Sequence, residues 1–91
     1  VLPFNIASYA LLLHLIAKEA GFQEGELTGF LADTHLYVTH LEQVKIQLAR
    51  QPRQLPKIVT ENFTDIDHWQ YPNSRVEDYN PHPHIKAAVA I

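Results

Sequence analysis

The chain has 91 residues, 46% of them hydrophobic and 19% charged, which excludes an intrinsically disordered segment and bounds it at one small unit. Seven basic against ten acidic residues give a formal charge of -3, and the Lys and Arg are scattered singly, so no phosphate-backbone track for nucleic acid is present. The absence of cysteine rules out a disulfide framework and a thiolate metal site and leaves a cytoplasmic location as the expectation.

Residues 6–20 read as a helix. Pro3 lies just before it, Asn5 is placed to cap it, Gly21 follows it, and Leu, Ala and Ile fill its interior. Its apolar residues point in nearly every direction, the pattern of a helix with protein on all sides. The apolar run 6–17 contains Ser8 and His14 and is shorter than the roughly 20 residues a bilayer needs, so no membrane partner is expected. His14 reads as a hydrogen-bonded core histidine. The chain opens on Val1-Leu2-Pro3, which lacks the charged n-region of a signal peptide. That opening points to a piece of a longer protein.

Residues 25–38 read as extended, with a break or bulge near Gly29, since Leu27, Phe30, Leu31, Leu36, Tyr37 and Val38 favour strands. Period two would then put His35 and Tyr37 on one face and Leu36 and Val38 on the other. Thr39 with Glu42 three residues on has the capping-box spacing, and Leu41, Val44 and Leu48 share one face, so a second, amphipathic helix should follow and end near Arg50, before Pro52. Residues 57–63 suggest one more strand. Residues 65–71 are too short and mixed to assign, and the prolines and asparagines of 72–83 indicate turns. The last residues, 85–91, are apolar apart from Lys86, and an apolar terminus calls for something to cover. The fold class is α+β. His82 and His84, in Pro81-His82-Pro83-His84, supply two imidazoles, fewer than the three or four ligands of a compact site, so no metal is expected.

Three blocks, LPFNIASYALL at 2–12, DTHLYVTHLEQ at 33–43 and YNPHPHIKAAVAI at 79–91, stand in the order and spacing that mark thymidylate synthases, and the chain resembles the C-terminal portion of that family over nearly its whole length. The resemblance implies a thymidylate synthase-like α+β fold in which residues 1–91 form the C-terminal part of one catalytic domain, with the first helix buried on a mixed sheet. It also implies a homodimeric methyltransferase of the cytoplasm that converts dUMP to dTMP, with 5,10-methylenetetrahydrofolate as one-carbon donor and reductant. Asn5 would read the uracil edge, His35 and Tyr37 would hold the sugar hydroxyl with Leu36 between them at the pocket, and Phe4, Val89, Ala90 and Ile91 would contact the folate. A carboxamide offers both a donor and an acceptor, matching the uracil carbonyl and its adjacent N–H, whereas cytosine presents a different polarity there.

Leu31-Ala32, Val1 and Ala88 stand where the family often has Gly-Gly, Gly and Pro. The family's mechanism needs a thiolate nucleophile, and this chain has no cysteine, so alone it should be inert. Arg50, Arg53 and Arg75 match none of the family's phosphate-binding arginines and read as surface charges. A nucleotide hydroxymethylase of the same family, acting on dUMP or dCMP, and a non-catalytic interaction domain are the other readings.

Overall fold

A computed structural model describes residues 2–89 of the chain. Its elements run in the order helix α1, Leu2–Ala20; a 3-10 turn, Val38–His40; helix α2, Leu41–Leu48; strand β1, Lys57–Thr60; a 3-10 turn, Tyr71–Asn73; and strand β2, Ser74–Glu77.

Helix α1 starts earlier than its composition suggests. Pro3 sits inside the first turn, where an N–H would have no intrahelical partner and the ring's fixed φ already suits a helix. Asn5 is therefore a helical residue and not the cap. The other end follows its chemistry: Gly21 adopts φ 74°, its N–H meets the Lys18 carbonyl at 3.2 Å, and the Phe22 N–H meets the Ala17 carbonyl at 2.8 Å. These are the paired bonds of a Schellman stop.

The expected burial of this helix is not seen within this chain by itself. Only His14, Leu15 and Ala17 of α1 are buried, while Phe4, Ile6, Tyr9, Leu12 and Ile16 are exposed. The surface of 8307 Å² compares with about 5400 Å² for a compact monomer of this mass. The radius of gyration of 16.5 Å compares with about 12 Å for a compact chain of this length. The apolar girdle of α1 is real, but this chain does not supply the atoms to cover it.

Residues 25–37 hold no strand and no bulge; Gly29 lacks a positive φ. A strand needs a neighbour for its backbone groups, and among the described residues β1 and β2 pair only with each other. The sheet among the described residues is a two-stranded antiparallel ladder, Lys57↔Glu77, Ile58↔Val76, Val59↔Arg75 and Thr60↔Ser74, and the expected mixed sheet is not seen within this chain. Strand β1 stops at Thr60, short of the expected 63, and β2 occupies part of the stretch read as turns. Asn62 and Asp78, two non-glycine residues with positive φ, follow the two strand ends.

The expected capping box at Thr39 does not form. Thr39 is taken up in the 3-10 turn, His40 becomes the residue before α2, and no side-chain cap bond is made there. Helix α2 ends as expected, with Ala49 and Arg50 N–H groups bonding the Lys45 and Gln47 carbonyls at 3.2 Å ahead of Pro52.

One polar run ties α1 to the ladder. His14, 6% exposed, places Nδ1 at 2.6 Å from Glu24 Oε1 and Nε2 at 2.8 Å from Thr60 Oγ1. Thr60 Oγ1 lies 2.7 Å from Ser74 Oγ across the strands, and Trp69 Nε1 donates to Ser74 at 2.9 Å. A neutral imidazole satisfies the whole run: Trp69 donates to Ser74, Ser74 to Thr60, Thr60 to Nε2, and Nδ1–H to Glu24. This hydrogen bond from His14 is the main reason the Glu24 carboxyl lies below its ordinary pKa of 4.5.

Candidate nucleotide site

The first turn of α1 is a partition between two clefts. Leu2, Asn5, Ile6 and Tyr9, spaced to share one side of the helix, face residues 27–31 across a cavity of about 550 Å³. Pro3 instead lines a second cleft of about 430 Å³ with Leu36, His40, Gln43, Val44, Gln47, Ile85 and Ala87.

Asn5 is the polar side chain that α1 contributes to the first cavity, whose other helical wall is Leu2, Ile6 and Tyr9. Its carboxamide makes no hydrogen bond to any other described residue. Gly29 and Phe30 stand opposite; a Cβ added at Gly29 would meet nothing within 4 Å, so the wall there is open.

His35 and Tyr37 come together as alternation suggested, though on irregular chain and not on a strand. Their rings meet edge to face with centroids 5.3 Å apart and an interplanar angle of 82°. Asp33 Oδ1 lies 3.6 Å from His35 Nδ1, too long for a hydrogen bond. Tyr37 in turn meets the His40 ring edge to face at 5.7 Å and 87°. Leu36 points into the second cleft. Within this chain Asn5 and the His35–Tyr37 pair therefore belong to neighbouring surfaces and do not line one cavity.

Of the residues assigned to a folate, Phe4 is 78% exposed and lines neither cleft, and Val89 is 88% exposed. Ala90 and Ile91 lie outside the described residues. Both Phe4 and Val89 offer bare apolar surface.

His40 and Gln43 belong to the block 33–43, and the structure gives them contacts. His40 Nε2 donates to the Ala88 carbonyl at 2.7 Å and Gln43 Nε2 to the Lys86 carbonyl at 3.3 Å. Their spacing of three on the start of a helix was the available signal.

Several other charged side chains have partners within the chain. Arg75 bonds Glu61 at 3.2 Å and Glu77 at 2.8 Å, which raise its pKa. Arg53 donates to the Pro81 carbonyl at 3.0 Å. The Asp65 carboxyl is held below its ordinary range by the His68 ring, 2.7 Å away. His82 donates to the Gln51 carbonyl at 2.8 Å, and among the described residues no three His, Asp or Glu side chains converge as a metal site would need. No helix among them is long and apolar enough to cross a membrane.

The whole chain, residues 1–91, matches the family model described as thymidylate synthase. A thymidylate synthase of Mycoplasma pneumoniae (strain ATCC 29342 / M129 / Subtype 1) is 46% identical over 90 residues, covering 99% of this chain and 31% of that relative. The chain belongs to the thymidylate synthase family, and it spans about a third of the length of this curated relative.

Proposed function

We propose that this chain is the C-terminal part of a thymidylate synthase and supplies base-reading, ribose-holding and folate-covering residues to an enzyme that makes dTMP from dUMP. The observation that supports the reading is Asn5: in a chain of this family, it lines an apolar cleft and its carboxamide bonds no other described residue. Uracil presents a carbonyl beside an N–H, and the amide's donor and acceptor match them in one orientation. His35 and Tyr37 would hold the sugar hydroxyl with Leu36 beside them, and closure of the wall around Asn5 and this pair falls to the remaining sequence of the complete protein.

Phe4, Val89, Ala90 and Ile91 would cover the reduced folate, which delivers the one-carbon unit and the reducing equivalents. Apolar covering excludes water from a site where charge develops. This chain holds no cysteine, so the thiolate that attacks the pyrimidine would come from the complete protein. The complete enzyme would work as a homodimer, in the cytoplasm, and without a metal.

The test is the complete protein supplied with dUMP and 5,10-methylenetetrahydrofolate. Equal amounts of dTMP and dihydrofolate are expected. Hydroxymethyl-dUMP with tetrahydrofolate would identify a hydroxymethylase instead, and no nucleotide-dependent consumption of the folate would leave only a non-catalytic role.

A further inference from the structure

The residues that follow the ribose pair reach a distant part of the chain. The His40 ring stands edge to face with Tyr37, and its Nε2 lies 2.7 Å from the carbonyl oxygen of Ala88, 48 residues on. A carbonyl can only accept, so Nε2 carries the hydrogen and donates. Three residues further, on the same side of the helix start, Gln43 Nε2 donates to the Lys86 carbonyl at 3.3 Å. The carbonyls at 86 and 88 thus lie against one face of α2, while Ile85 and Ala87 enter the cleft with Leu36 and Val44. The tie is incomplete in one respect: among the described residues Gln43 Oε1 is buried without a partner, and an unpaired buried acceptor is costly.

We propose that His40 and Gln43 are positioning residues that couple the Tyr37 end of the nucleotide site to the C-terminal segment 85–89, and that a main-chain N–H of that segment fills Gln43 Oε1 when the segment closes. The proposal rests on the reading of His35 and Tyr37 as sugar ligands. A nucleotide that fixes the Tyr37 ring fixes the edge against which His40 leans, and with it the direction of the bond to Ala88. The linkage is reciprocal, so a docked segment also orders Tyr37.

The experiment uses the complete protein and follows amide hydrogen exchange at residues 86–89 with and without dUMP, alongside the KM for the folate and the Kd for dUMP. H40F keeps an aromatic edge for Tyr37 and removes the donor. It should speed exchange at these amides and raise the folate KM by about tenfold each, the loss of one hydrogen bond, while the Kd for dUMP rises by less than the folate KM. H40Q, which restores a donor without the ring, should recover most of the folate KM but not the slowing of exchange by dUMP. Q43L, which leaves the Tyr37 contact untouched, should also speed exchange. Unchanged exchange in both H40F and Q43L overturns the proposal, as does a fall in dUMP affinity equal to the rise in folate KM. Exchange is read without turnover, so a complete protein that makes no dTMP defeats the functional reading while the tie itself is still decided by H40F.

Discussion

Replacing His14 by Leu in the complete protein separates the polar run from simple core packing. The imidazole makes two bonds, one of 2.6 Å to a carboxylate and one of 2.8 Å to a hydroxyl. The first belongs to the charged class, worth about 1.5 to 3 kcal/mol, and the second to the neutral class, about 0.5 to 1.5 kcal/mol. Three effects offset this loss. Glu24 is 37% exposed at its side chain and regains water, and Thr60 keeps Ser74 as a partner. A buried Leu returns roughly 1 kcal/mol of apolar transfer. The net cost is therefore about 1 to 3 kcal/mol, read as a loss of roughly 3 to 8 °C in Tm for a protein of a few hundred residues.

A double-mutant cycle with Glu24→Gln, followed by urea unfolding at neutral pH, isolates the pair and should give a coupling of about 1 kcal/mol. The pH arm has a definite sign. The Glu24 carboxyl lies below 4.5 in the folded protein because of His14, so its stabilising contribution is complete above that value and is lost as pH falls through the folded pKa. The stability gap between wild type and Glu24→Gln should narrow below pH 4.5. A gap that widens there, or a coupling below about 0.3 kcal/mol, would show that His14 only fills space.

Other outcomes follow from the same geometry. Asn5→Asp in the complete enzyme should shift preference from dUMP towards dCMP by about ten- to hundredfold, because an ionised carboxylate cannot donate to the uracil carbonyl; competition kinetics with both nucleotides reads it, and unchanged discrimination would remove Asn5 from base reading. The isolated 91-residue chain should neither turn over dUMP nor stay monomeric, given the exposed Phe4, Ile6, Tyr9, Leu12 and Ile16; sedimentation showing a monomer that melts cooperatively would contradict this. Arg53→Ala removes a side chain that bonds Asn80 Oδ1 at 3.3 Å and the Pro81 carbonyl at 3.0 Å. Because it is exposed, the change should cost less than about 1.5 kcal/mol, visible as faster exchange of amides near residue 80.

Some of this architecture is legible in residue types alone. Gly21 announces the end of α1, and His14 amid leucines announces a satisfied buried imidazole, because both depend on local chemistry. The ladder is less legible. Ser74-Arg75-Val76-Glu77 contains one apolar residue, and its strand character comes from the partner Lys57–Thr60, which no local pattern encodes. The reverse error at 25–38 has the same origin: residues with strand preference stay irregular where no neighbouring strand receives their backbone groups. At Thr39 two local signals competed, and the 3-10 turn prevailed over the capping box. For the site, the polar residues were legible as types, whereas the ties from His40 and Gln43 to residues 88 and 86 join positions more than 40 apart, and no local pattern names their partners.

The two-stranded ladder also governs how this chain behaves beside copies of itself. Both strands are edges, and an edge with open N–H and C=O groups is a template for a third strand from another molecule. Here each strand offers only four residues. Asn62 and Asp78, at φ 57° and 58°, turn the backbone out of the extended conformation just beyond each strand. Arg75, locked between Glu61 and Glu77, puts a charged cluster along one flank. An incoming strand would find too short a register to propagate and would have to desolvate paired charges to use it. When this chain associates, its helical apolar surface should carry the contact, giving amorphous and reversible assemblies that show no cross-β reflections.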